Sequence, residues 1–479
     1  MNADPTRAVT SVPAAADAPS PAATGGKRLH RRLSAFDVLL LTLSCLSPVF
    51  SVYGPGSEVL QQTGTGAALL FLIGIGAAAV WGTVYAELGS AYPYAGGDYV
   101  GVGSVLGPAA GFVCLALWAA VVMPINAFLA RMIATYVGQI APAAPFEALT
   151  FGSLGLAVGI ALLAVRANAL LTGVFLAVEL LAVSSLAVAG FWHLPGDIPA
   201  LMTHPLLPES NGRWVTVSAA AMAMGAVNAA FATAGGNQAI AFGEELIDPH
   251  RKMGRVILVA CLAGAAAIAL PVIGVALRAG RDAAILRSPA PFSAFIASVA
   301  GPAAGRALSA AVALAIFNAL IAQVLFSARL FFSFARDGIF PRRLNAALAK
   351  VHGGSGAPRV ATLLVGVTSA ACCLLSSRVL LVLMSGLVVY GLALVSISVL
   401  IGRAKGLTGT PGFWRSPLYP LAPLLGLALA FAFAAADWAD AAAGRPSLLA
   451  LGGLLLAAAL WHHFVLRRRP GGWTPRLPQ

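Results

Sequence analysis

The chain has 479 residues, of which 59% are hydrophobic and 10% charged, and its formal net charge is +13. An ordinary soluble domain is about 25% charged, so this composition excludes one and requires a membrane protein crossed by many apolar segments of about 20 residues each. The basic residues are not interleaved with aromatics, which argues against nucleic acid as a partner.

Residues 1–35 form an N-terminal tail, expected in the cytoplasm. Its first 26 residues are rich in Ala, Pro, Ser and Thr, the composition of a disordered segment. No cleavable apolar leader precedes the first long apolar stretch, so that stretch is expected to act as an uncleaved insertion signal. Twelve spans are predicted, near 36–60, 66–91, 108–136, 149–166, 169–192, 214–246, 254–278, 305–335, 359–376, 379–402, 418–438 and 446–466. With both termini inside, 21 Lys and Arg residues fall on inner segments, ending with Arg467, Arg468, Arg469 and Arg476, and seven on outer ones. That bias is the positive-inside pattern, and the basic termini suit anionic lipid headgroups. Cys45, Cys114, Cys261, Cys372 and Cys373 lie in apolar stretches without metal-ligand spacing, so neither a metal site nor a disulfide framework is expected. No cofactor is expected either.

Two spans are interrupted. The first breaks at Ser51-Val52-Tyr53-Gly54-Pro55-Gly56 and the sixth at Thr233-Ala234-Gly235-Gly236-Asn237-Gln238. Unpaired backbone groups cost several kcal/mol each in a bilayer core, so such breaks survive only beside a cavity or inside protein. Matching breaks in two halves of a chain point to the binding site of a secondary transporter. Here five spans lie in each half, and an odd number inverts the second half relative to the first. The expected divisions are residues 36–193 for the first repeat, 214–403 for the second, and 404–479 for two extra spans and a basic cytoplasmic tail.

Freed carbonyls around Ser51 to Tyr53 suit a ligand amine, and freed amides after Gly56 suit a carboxylate. Thr233, Asn237, Gln238 and Asn228 add polar side chains near the second break. Carboxylates inside spans are rare and usually functional. Glu58 follows the first break and Glu179 lies mid-span with no Lys or Arg near it in sequence, so both are candidates for coupling transport to an ion. Glu87, near a span end, reads as structural. Together Glu58 and Glu179 suggest a cationic amine or polyamine as substrate.

Several segments resemble the amino acid permeases of the amino acid–polyamine–organocation superfamily. These are Tyr85-Ala86-Glu87-Leu88-Gly89 through Tyr92-Pro93, Gly96-Gly97-Asp98-Tyr99-Val100, and Gly243-Glu244-Glu245-Leu246 through Arg251. Ala335-Arg336-Asp337-Gly338-Ile339-Phe340-Pro341 and Gly356-Ala357-Pro358 complete the set. The resemblance implies an all-α polytopic membrane protein with twelve transmembrane helices. It also implies a five-plus-five inverted repeat of the LeuT-like kind with two C-terminal helices, and no enzymatic activity. It places substrate backbone groups at Ser51, Tyr53, Gly54, Pro55, Gly56, Thr233, Gly235, Gly236 and Asn237. Three departures stand out. The family's first break usually reads Gly-Ser-Gly, where this chain has Gly54-Pro55-Gly56. A bulky aromatic gate often follows the first glycine of the second break, where this chain has Gly236, and its absence suggests a larger ligand. Many relatives carry a lysine in span five, where Glu179 aligns.

The expected function is proton-coupled import of an amino acid or related organic amine by alternating access, with Glu179 the leading coupling residue. Spans one, two, six and seven would rock against three, four, eight and nine. The alternatives are an exchanger without net ion coupling and a transport-inactive amine sensor. Ala-, Gly- and Arg-rich usage fits a bacterial plasma membrane.

Overall fold

The computed structural model describes residues 33–94, 96–163, 168–192, 194, 196–209, 213–280, 282–350, 358–469 and 472–474. The tail up to residue 32, Arg166, Arg281, Gly356-Ala357 and Arg476 lie outside the described residues. In chain order the helices are α1 (Ala35–Leu46), α2 (Pro48–Ser51), α3 (Ser57–Thr63), α4 (Ala67–Ala91), α5 (Asp98–Leu106), α6 (Pro108–Gly138) and α7 (Phe146–Leu163). There follow α8 (Asn168–Phe191), α9 (Ile198–Thr203), α10 (Ala219–Thr233), α11 (Pro249–Ala279), α12 (Ala283–Leu286), α13 (Pro291–Ala300) and α14 (Pro302–Arg336). The last are α15 (Arg342–Leu348), α16 (Arg359–Cys372), α17 (Ser377–Gly386), α18 (Leu392–Ala404), α19 (Leu421–Ala439) and α20 (Gly444–Trp461). A short hairpin pairs β1 (Leu206–Pro208) with β2 (Trp214–Thr216), antiparallel.

Among the described residues, eight helical stretches are long and apolar enough to cross a membrane, with α1 to α4 taken as one, and four shorter apolar helices accompany them. Helix is present at every one of the twelve predicted spans. Local sequence sets the starts. Ser34 caps α1 in a box with Asp37, whose carboxylate takes the Ser34 amide at 2.8 Å. Ser218 and Ser376 cap α10 and α17. Pro108, Pro249, Pro291 and Pro302 stand in the first turn of their helices, where a missing donor costs nothing.

One local plan occurs twice. A short helix ends at a glycine with positive φ, a proline follows, and a long helix begins: α5, Gly107, Pro108, α6, and again α13, Gly301, Pro302, α14. The sequence pattern predicts neither α5 nor α13, because 91–108 and 278–305 read as connections between spans. Each short helix packs on the long helix that follows it.

Packing sorts the long helices into two groups. In one, α4 packs on α10 and α11, and α1 packs on α11 and on the turn after α10. In the other, α6, α7, α14 and α16 pack on one another. Helix α8 touches both groups through α11 and α14. Where Leu33 pairs with Leu246, the chain start is tied to the segment before α11 by two backbone hydrogen bonds, Leu33 N–H to Glu245 O and Ile247 N–H to Leu33 O.

Candidate functional site

The first break lies four residues earlier than the sequence pattern places it. Ser47 has φ 42°, in the left-handed region, and separates α1 from α2. Pro48 is the cause: its ring disfavours the helical region for the preceding residue. The segment Val52–Gly56 is instead a π-helical turn that joins α2 to α3 without interruption. A widened turn absorbs the donor that Pro55 lacks and the clash of its ring. Ser51, Tyr53, Gly54, Pro55 and Gly56 are thus helical and buried.

Their neighbours are protein. A methyl group on Gly54 would stand 2.5 Å from Met132 Sδ of α6, and one on Gly56 3.1 Å from Val272 of α11. The Tyr53 hydroxyl donates to the Ala182 carbonyl at 3.1 Å, while the Tyr53 carbonyl accepts from the Ser57 and Tyr136 hydroxyls, each at 2.8 Å.

The second break falls where it was expected. Ala234 is extended, Gly235 has φ 135°, which an L side chain rarely adopts, and a 3₁₀ turn runs Gly236–Phe242. Thr233 ends α10, with its hydroxyl donating to Gly74 O of α4 at 3.0 Å. Asn228, one helix face back, is buried and its Oδ1 has no hydrogen-bond partner among the described residues.

The two breaks meet. A Cβ on Gly235 would lie 2.7 Å from Leu46 Cδ1, the residue immediately before Ser47. Glu179 joins them from α8: Ser47 Oγ donates to its Oε2 at 3.0 Å, and the Val49 amide also bonds the carboxylate. Glu179 is 4% exposed, and no described Lys or Arg pairs with it. Glu58 is not brought to this junction. It lies eleven residues past Ser47 along a nearly continuous helix, roughly 16 Å at 1.5 Å per residue, and is half-buried beside Gln62.

Gly236 does not open a space for ligand. A Cβ there would lie 2.5 Å from the Cys261 backbone nitrogen and 2.6 Å from its Sγ, so the residue is seated against α11. Asn237 is turned to a polar cluster. The Trp81 indole donates to its Oδ1 at 3.2 Å, and its Nδ2 donates to Asp98 Oδ2 at 3.2 Å. The Trp118 indole also donates to Asp98 Oδ2 at 3.2 Å. Burial pushes the Asp98 carboxyl up to about 6 against the pull of these donors. The sequence pattern alone does not single out Asp98 as a site candidate. The signal available was its place after Gly96-Gly97, which reads equally as a turn.

A family model described as amino acid permease matches residues 33–450. The chain is 28% identical to Asc-type amino acid transporter 1 of Mus musculus over 337 residues, 65% of this chain and 60% of that protein. It is 29% identical to large neutral amino acids transporter small subunit 2 of Homo sapiens over 330 residues, 65% of this chain and 59% of that protein. The matches thus span less than two thirds of these relatives, which are transporters and not enzymes. The family match takes in both breaks, Glu179 and the Asp98 cluster, and the chain belongs to the amino acid permease family.

Proposed function

We infer that this chain is a secondary active transporter that imports an amino acid, driven by protons, through alternating access. The carrying observation is the junction itself: the two helix breaks abut at Leu46 and Gly235, and a buried carboxylate with no cation beside it among the described residues is bonded to the first of them. A zwitterionic substrate has the groups that loose helix ends recognise, an ammonium for carbonyls and a carboxylate for amides. A neutral side chain suits the site better than the cationic one suggested by the two carboxylates, since Glu179 is engaged by Ser47 and the Val49 amide and Glu58 is remote. The names of the relatives support the same substrate class.

The architecture we assign is twelve spans with both termini cytoplasmic, a five-plus-five inverted repeat and two further helices. The repeated plan around Gly107-Pro108 and Gly301-Pro302 supports it, because these positions are separated by nearly the same length of chain as Ser47 and Gly235. The separate packing of α1, α4, α10 and α11 from α6, α7, α14 and α16 is consistent with one moving and one static part. The moving part would close over substrate at the Leu46–Gly235 contact. In the plasma membrane an acidic exterior would protonate Glu179 and weaken its hold on Ser47 and Val49, coupling the proton to the first break.

Uptake of radiolabelled L-alanine and L-leucine into proteoliposomes tests this. An acid-outside gradient is expected to stimulate wild-type uptake several-fold and to leave Glu179→Gln unstimulated. Stimulation persisting in Glu179→Gln removes that residue from coupling. Uptake indifferent to the gradient but accelerated by unlabelled amino acid inside replaces import by exchange.

A further inference from the structure

The Asp98 cluster bridges the two packing groups. Asp98 opens α5, and its carboxylate is held by Trp118 of α6 on one side and by Asn237 of the 3₁₀ turn on the other. Trp81 of α4 completes the cluster by donating to Asn237, and it stacks on Tyr85 with centroids 4.5 Å apart. Asp98 is 5% exposed, and every donor it meets among the described residues is neutral.

Among the described residues, no other titratable group neutralises it. From α4 the Tyr85 hydroxyl faces the carboxylate as a further neutral group, and from α6 the Cys114 thiol is near. Cys261 of α11 stands beyond Tyr85. The adjoining Tyr99 is turned toward Arg336, Asp337 and Glu244. Of the cations on α18 and after it, Arg403 is committed to Glu87, and Lys405 Nζ reaches Val105 O at the far end of α5, at 3.5 Å.

A carboxylate removed from water without a cation is penalised as the anion. Whichever arrangement buries it therefore binds the proton more tightly, and ionisation favours the arrangement that lets water in. We propose that Asp98 is a proton-binding positioning residue: protonated, it holds Asn237 and the turn Gly236–Phe242 against α5 and α6, and ionised, it favours release of that turn. This rests on the reading above in one respect, that the segment after the second break belongs to the moving part. The site is separate from Glu179, which acts on the first break.

The sign follows from the two environments. Burial pushes the docked carboxyl up to about 6 from its ordinary 3.8, because desolvation penalises the anion. The docked turn is therefore favoured at low pH and loses that advantage as pH rises through about 6.

Hydrogen exchange of peptides covering 236–246, in nanodiscs and divided by the intrinsic chemical rate, reads this without any transport assay. In the wild type, exchange is expected to be about tenfold faster at pH 8 than at pH 5, with helix α20 as an unchanging reference. Asp98→Asn, a neutral mimic of the protonated form, is expected to exchange slowly and without a pH step. Trp118→Phe removes a donor that favours the anion and should move the midpoint upward. A wild type with no step, a step that survives in Asp98→Asn, or a midpoint unmoved in Trp118→Phe overturns the proposal. A step present in a protein that takes up no amino acid would sink the transport reading and leave this one standing.

Discussion

Arg403→Ala is expected to cost about 3–5 kcal/mol of stability, because it strands a fully buried carboxylate. Glu87 is 0% exposed in α4, and Arg403 grips it from the end of α18 through Nε at 2.6 Å and Nη2 at 2.8 Å. The loop after α18 completes the cage, with the Thr408 hydroxyl at 3.2 Å and the Ser416 amide at 3.0 Å. The Arg403 guanidinium also lies 4.5 Å over the Tyr419 ring. Removing the cation leaves Glu87 with two neutral donors in a buried site, which is where the large penalty arises. The double variant Glu87→Gln/Arg403→Ala should recover a large part of the loss, since the stranded charge is then gone. Thermal unfolding in detergent measures both. A single variant that melts with the wild type would show that the pair is bystander chemistry.

Gly236→Ala is the second large effect, expected at about 1–3 kcal/mol or more, the usual range for overpacking a close-packed site. The added methyl would meet the backbone nitrogen of Cys261 at 2.5 Å, and backbone cannot rotate away as a flexible side chain can. The turn must lift from α11, and Asn237 next to it must leave Asp98. The variant should therefore unfold earlier and also lose the slow exchange of peptides 236–246. Cys261→Gly alone should not rescue it, since the nearest atom is main chain. Wild-type stability and exchange in Gly236→Ala would mean that this turn is not held against α11 as described.

Much of the fold was legible in the chain. Apolar length located the helices, because hydropathy is a local property of composition. The second break was legible for the same reason: Gly235-Gly236 admits a φ that other residues resist. The first was displaced because two prolines competed. Pro55 between two glycines looked the stronger breaker, yet a π turn absorbed it, whereas Pro48 forced its neighbour Ser47 out of the helix. Helices α5 and α13 escaped notice because their apolar faces are short and become meaningful only against α6 and α14.

What the sequence by itself determined was a membrane-spanning helical chain with interrupted spans, isolated carboxylates and the marks of a permease. Those follow from which residues can lie in hydrocarbon and which backbone angles each allows. Only the tertiary structure decided how the carboxylates divide: Glu179 to Ser47 and the first break, Glu87 to Arg403, Asp98 to Asn237 and Trp118, and Glu58 to none of these. Whether a buried charge is paired, bonded by neutral donors or half-solvated depends on groups 20 to more than 300 residues away in the chain, and no local pattern encodes which of them arrive.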